Sequence, residues 1–157
     1  MVAFISSLAL FALFVPALAM PAPNANATVE LSKRAITSPV FTQANCEGVQ
    51  YYQKSAVEAA AKEAVKHLKS GGAVGQGNRW YPHEFRNYPE QFPYASNCKS
   101  KWYEFPIMAS GQVFRGGQPM EDRVVIGSWN GADDAVVCGV MTHRNAVRNG
   151  FKECKLQ

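Results

Sequence analysis

The chain has 157 residues, with 16 Lys or Arg against 12 Asp or Glu, a formal charge of +4, 47% apolar residues and 18% charged ones. That is one domain's worth of ordinary globular composition, and it excludes a multidomain machine, a coiled coil, a collagen and a polytopic membrane protein. A charge this modest permits an anionic partner without demanding one.

The leading segment, Met1 to Ala19 (MVAFISSLALFALFVPALA), holds no charged side chain and closes on Ala17-Leu18-Ala19. A short apolar run ending in small-x-small predicts a secretory signal cleaved after Ala19. The competing reading, a membrane anchor, is weakened by the shortness of the run and the lack of a basic flank. Residues 20–34 (MPAPNANATVELSKR) carry no amphipathic period and read as a propeptide ending in Lys33-Arg34, unless that pair is only a solvated linker charge. The glycosylation sequon Asn26-Ala27-Thr28 lies inside this segment. Removing these 34 residues from 157 leaves a domain of 123, residues 35–157, with 14 basic and 11 acidic side chains. The expected mature form is secreted, monomeric and free of membrane. In such a chain the four cysteines, Cys46, Cys98, Cys138 and Cys154, read as two disulfides with three pairings open.

Residues 54–70 (KSAVEAAAKEAVKHLKS) give the one strong helical signal. Val57, Ala60, Ala61, Ala64, Val65 and Leu68 form the apolar stripe, Ser55 with Glu58 suggests a capping box, and Gly71-Gly72 ends the helix. After Gly77 the pattern turns to short aromatic and β-branched runs broken by Gly, Pro and Asn. Strands are predicted at Trp102–Met108, Arg123–Ile126 and Val136–Thr142, with shorter runs at Arg79–His83, Gln112–Phe114 and Phe151–Cys154. One helix followed by strands predicts an α+β domain, the helix packed on a twisted antiparallel β-sheet. No CxxC, HExxH or EF-hand loop is present, so neither metal nor cofactor is expected.

Four polar residues fall on these strands: His83, Glu104 between aromatic neighbours, Arg123 and His143. Each alone reads as an ordinary residue of a half-buried strand. Together, a carboxylate, two imidazoles and a cation on one sheet suit phosphoryl transfer by acid–base catalysis.

The segments Tyr81-Pro82-His83, Tyr103-Glu104-Phe105-Pro106-Ile107, Ser110-Gly111 through Gly116-Gly117, Asp122-Arg123-Val124-Val125, Gly139-Val140-Met141-Thr142-His143 and Asn149-Gly150-Phe151-Lys152-Glu153-Cys154 run in one order from Cys46 to Cys154. In that order the chain resembles the fungal guanyl-specific extracellular ribonucleases, relatives of the ribotoxins. The resemblance implies an endoribonuclease acting on single-stranded RNA through a 2′,3′-cyclic phosphate to a 3′-phosphate. Glu104 would be general base and His143 general acid. His83 would assist the base, Arg123 and Tyr81 would hold the phosphate, and Phe151 would pack against it. Guanine would be met by Arg86, Asn87, Tyr88 and Glu90, with Asn149 closing the site. Pro89 displaces Glu90 by one residue from the position directly after the tyrosine, which bears on guanine preference. The resemblance also favours the pairings Cys46–Cys154 and Cys98–Cys138. Its alternatives are a catalytically weak, ribonuclease-like effector that binds RNA or a host protein, and an active enzyme with a cytotoxic role. The loop 127–135, with Trp129 and two aspartates, has no role at this level.

Overall fold

The computed structural model describes residues 36–157. The signal and propeptide expectations, and the dibasic site, lie outside the described residues.

The helix α1 spans Lys54–Ser70, as the stripe predicts, and buries Val57, Ala60, Ala61, Ala64 and Val65. It ends on Gly71, which adopts the left-handed conformation (φ 65°) while its N–H and that of Gly72 return to Leu68 and His67 carbonyls. The start differs from expectation. The N-cap is Gln53, with no side-chain cap. Ser55 is already helical, and Glu58 instead accepts a hydrogen bond from Ser38 Oγ at 2.8 Å. A capping box requires the serine one residue outside the helix, and here the helix begins before it.

Before the helix lie β1 (Ile36–Thr37), β2 (Gln43–Cys46) and β3 (Gln50–Gln53). After it come β4 (Val74–Gln76), β5 (Arg79–Tyr81), β6 (His83–Phe85), β7 (Trp102–Pro106), β8 (Asp122–Gly127), β9 (Ala135–Thr142), β10 (Lys152–Glu153) and β11 (Lys155–Leu156). The main sheet runs β1-β9-β8-β7-β6, with β10 also on β9. Its pairs are antiparallel except β1 with β9. Two small sheets accompany it, β11-β2-β3 and the β4-β5 hairpin. The run Arg79–His83 is thus divided at Pro82 between two sheets, and Gln112–Phe114 contributes only a bridge from Val113 to Ile107. The α+β expectation holds, with three sheets in place of one.

The sheet's two faces have different work. Phe105, Val124, Ile126, Val137 and Val140 face the helix and form the main core with Tyr52, Phe114 and the helical stripe. Val137 and Val140 are three residues apart, which strict alternation would put on opposite faces. A bulge resolves this: Val125 pairs with Gly139 and Ile126 with Val137, so Cys138 is the extra residue. Phe85, Val125 and Met141 make a smaller cluster on the other face with Phe92, Tyr94, Trp102 and Phe151. Both expected disulfides are present, Cys46–Cys154 and Cys98–Cys138. Among the described residues no helix is long and apolar enough to cross a membrane.

Candidate active site

Strand register places the candidate residues together. His83 on β6 lies opposite Glu104 on β7. Pro106, two residues on and on the same face, lies opposite Arg123 on β8, and Arg123 opposite Met141 on β9. His143 is two residues past Met141, its N–H donating to the Glu121 carbonyl at 2.9 Å. Period two therefore sets His83, Glu104 and Arg123 on the face away from the helix, one per successive strand, with His143 one residue past the end of β9.

Each side chain is held. Glu104 is buried, with Oε1 3.2 Å from His83 Nδ1 and Oε2 lacking any partner among the described residues. Arg123 is 3% exposed. Its Nη1 donates to the carbonyls of Pro119, Met120 and Asp122 at 2.9–3.1 Å, and its Nη2 to Tyr81 Oη at 3.0 Å. Such a carbonyl cage neutralises no charge, so the guanidinium stays a fixed cation with low exposure to water. Tyr81 packs on the His83 ring, with centroids 4.3 Å apart. His143 stacks on Phe151 at 3.9 Å, and its Nδ1 lies 2.8 Å from the Gly150 carbonyl. A carbonyl only accepts, so Nδ1 donates to it and Nε2 is the nitrogen that faces a substrate. Tyr81, Arg123, His143 and Asn149 line one cavity of about 470 Å³.

The expected base-reading loop is shaped by Asn87, which has φ 51°. Its side chain accepts from Phe92 N–H and donates to Phe92 C=O, so it braces the loop. Tyr88 is 76% exposed and free to stack. Arg86 is exposed. Despite Pro89, Glu90 reaches the segment beside the acid candidate: Oε1 accepts from Phe151 N–H at 3.2 Å, and Oε2 is buried without a partner among the described residues.

Three features escaped sequence reasoning. The Gly116–Met120 segment supplies the carbonyls around Arg123, of which Gly116-Gly117 was the only visible sign. Asp122, beside Arg123 and fully buried, accepts from Tyr52 Oη at 2.7 Å and from Arg144 Nη2 at 3.4 Å. Tyr94 sits behind the site with its hydroxyl buried; desolvation, and then the carboxylates of Glu153, Glu90 and Glu104, push its pKa upward.

A carboxylate with one bare oxygen, a caged guanidinium and an imidazole with one free nitrogen, in that order across two strands and the end of a third, define an acid–base site built around an anion. The chain belongs to the ribonuclease family, whose model matches residues 41–155. It is 35% identical to guanyl-specific ribonuclease N1 of Neurospora crassa, over 97% of this chain and 95% of that protein. It is 40% identical to guanyl-specific ribonuclease Th1 of Trichoderma harzianum, over 68% of this chain and 92% of the relative. It is also 36% identical to extracellular guanyl-specific ribonuclease Fl1 of Gibberella baccata, over 71% and 96%.

Proposed function

We propose that the chain is a secreted, monomeric endoribonuclease that cleaves single-stranded RNA on the 3′ side of guanosine. The observation that carries this reading is the placement of Glu104 and His143 on either side of the buried Arg123, one strand away each. In the first step Glu104, as carboxylate, takes the ribose 2′-OH proton while the 2′-oxygen attacks phosphorus. The P–O5′ bond breaks, and His143 Nε2–H protonates the departing 5′-oxygen, giving a 2′,3′-cyclic phosphate. In the second step neutral His143 takes a proton from water, hydroxide opens the ring, and Glu104 returns its proton to the 2′-oxygen, giving a 3′-phosphate. Arg123 and the Tyr81 hydroxyl meet the charge on the phosphoryl oxygens, and His83 holds Glu104 in place. DNA lacks the 2′-OH and is not a substrate.

For the base, Tyr88 offers an exposed ring for stacking, and the bare Oε2 of Glu90 is an acceptor suited to guanine N1–H and N2–H. Adenine presents no donor at N1, so Glu90 discriminates against it. Arg86, the Asn87-shaped backbone and Asn149 complete the pocket. The test is cleavage of GpC, ApC, UpC and CpC in EDTA. GpC is expected to be cleaved about tenfold to a hundredfold faster, since leaving a buried polar group unpaired costs about 1–3 kcal/mol. Equal rates for GpC and ApC would overturn guanine preference.

A further inference from the structure

The cavity beside His143 continues past the reacting groups. One wall carries Arg79 and Gln118, and both residues also line a second hollow of about 300 Å³ with Gln76, Asn78 and Gly117. A trough therefore runs from Arg123 and His143 over Arg79 to the β4–β5 hairpin. Glu104, Tyr88 and Glu90 line neither hollow, and Asn149, at the junction with the base side, lines the inner one only. In the reaction proposed above the 5′-oxygen leaves at His143, so the trough lies on the side of the departing nucleotide.

Among the described residues Arg79 is the only charged one lining the outer hollow, while Arg79, Arg123 and Glu121 line the inner one. Arg79 stands two residues before Tyr81 on β5, so both side chains project to the same side, roughly 7 Å apart along the strand. The Tyr81 hydroxyl marks the scissile phosphate through its bond to Arg123. Arg79 thus adds a second guanidinium two residues along the strand, a backbone step of roughly 7 Å that is comparable with the spacing of neighbouring phosphates in one RNA strand. Arg79 Nη1 donates to Gln118 Oε1 at 2.9 Å. That bond commits the oxygen of the Gln118 amide and leaves its NH2, with the rest of the guanidinium, as donors for an oxyanion.

We propose that Arg79, supported by Gln118, is a downstream phosphate subsite, holding the phosphate on the 3′ side of the leaving nucleotide. The enzyme would then favour RNA that extends at least one phosphate beyond the cut. This rests on the ribonuclease reading, and the experiment separates the two. It compares kcat/KM for GpC with that for GpCp, the same dinucleotide carrying a 3′-terminal phosphate. The wild-type chain is expected to favour GpCp by about tenfold at low salt, as one charge-assisted contact allows. That advantage should shrink as salt rises, with an extra log–log slope of about −0.7. Arg79→Gln is expected to remove most of the advantage and the extra slope, and Arg79→Lys to restore part of both. Wild-type cleavage of GpC with no gain for GpCp would overturn the subsite alone. So would an Arg79→Gln variant that loses equally on both substrates. Failure of the wild-type chain to cleave either would overturn the ribonuclease reading, and the subsite with it.

Discussion

His143 has one nitrogen to work with. The Gly150 carbonyl holds Nδ1–H and the Phe151 ring fixes the imidazole plane, so proton exchange is confined to Nε2. Glu104 is similarly divided, one oxygen to His83 and one bare. Replacing either should therefore cost chemistry and little else. Glu104→Gln and His143→Ala are each expected to lower kcat on GpC by about 10²–10⁴-fold, with the circular dichroism of the folded chain retained. A wild-type rate in either variant would refute its role. These two residues, with His83 and Arg123, were legible in the sequence because a charged group inside an apolar strand breaks its pattern. The cage around Arg123 was not legible: its partners are main-chain carbonyls of Pro119 and Met120, and a carbonyl has no residue type to read. Nor was the Tyr52–Asp122 bond, whose partners lie 70 residues apart.

The helix is the element the sequence shows most plainly, because seventeen residues allow its stripe to repeat. Its end can be tested alone. Gly71 has φ 65°, and a Cβ there would meet nothing within 4 Å. The cost of Gly71→Ala is thus conformational only, about 1 kcal/mol, read as a lower urea midpoint at unchanged m-value. The strands β1 to β4 have two to four residues each, too few for alternation to rise above chance, and they were missed. The loop after β8 also gains an account. Trp129 donates to the Ala132 carbonyl and packs edge-on to Tyr103, Asn130 bonds Asp134, and Asp133 meets Lys69 at the helix end. It is a self-bonded cap that covers one end of the helix–sheet core.

At the scale of the whole molecule, stability depends on cross-links and on buried hydroxyls. Cys46–Cys154 spans 108 residues and Cys98–Cys138 spans 40. Chain entropy then assigns them about 5 and about 4 kcal/mol. Replacing both partners by Ala should lower the denaturation midpoint for either bridge, and further for the first. Tyr52 and Tyr94 add an alkaline limit, since burial pushes both hydroxyls upward from the ordinary value. The unfolded chain gives up these protons near pH 10 while the folded one keeps them. Their contribution is complete below about pH 10 and is lost above it, by up to about 1.4 kcal/mol per pH unit for each tyrosine. Urea midpoints at pH 9 and pH 11 should converge in a Tyr52→Phe, Tyr94→Phe double variant if it folds, and the Tyr94→Phe single variant should show half the effect. The same long bridge has a topological consequence. Thr42 and Gln43 N–H groups both donate to the carbonyl of Gln157, whose own N–H returns to Gln43. With β11 laid along β2 and the sulfurs joined beneath them, the path of the backbone is very nearly a closed ring. The ring is therefore closed twice, once by sulfur and once by hydrogen bonds, so reducing the bridge would leave the two segments still clasped by the pairing of β11 with β2.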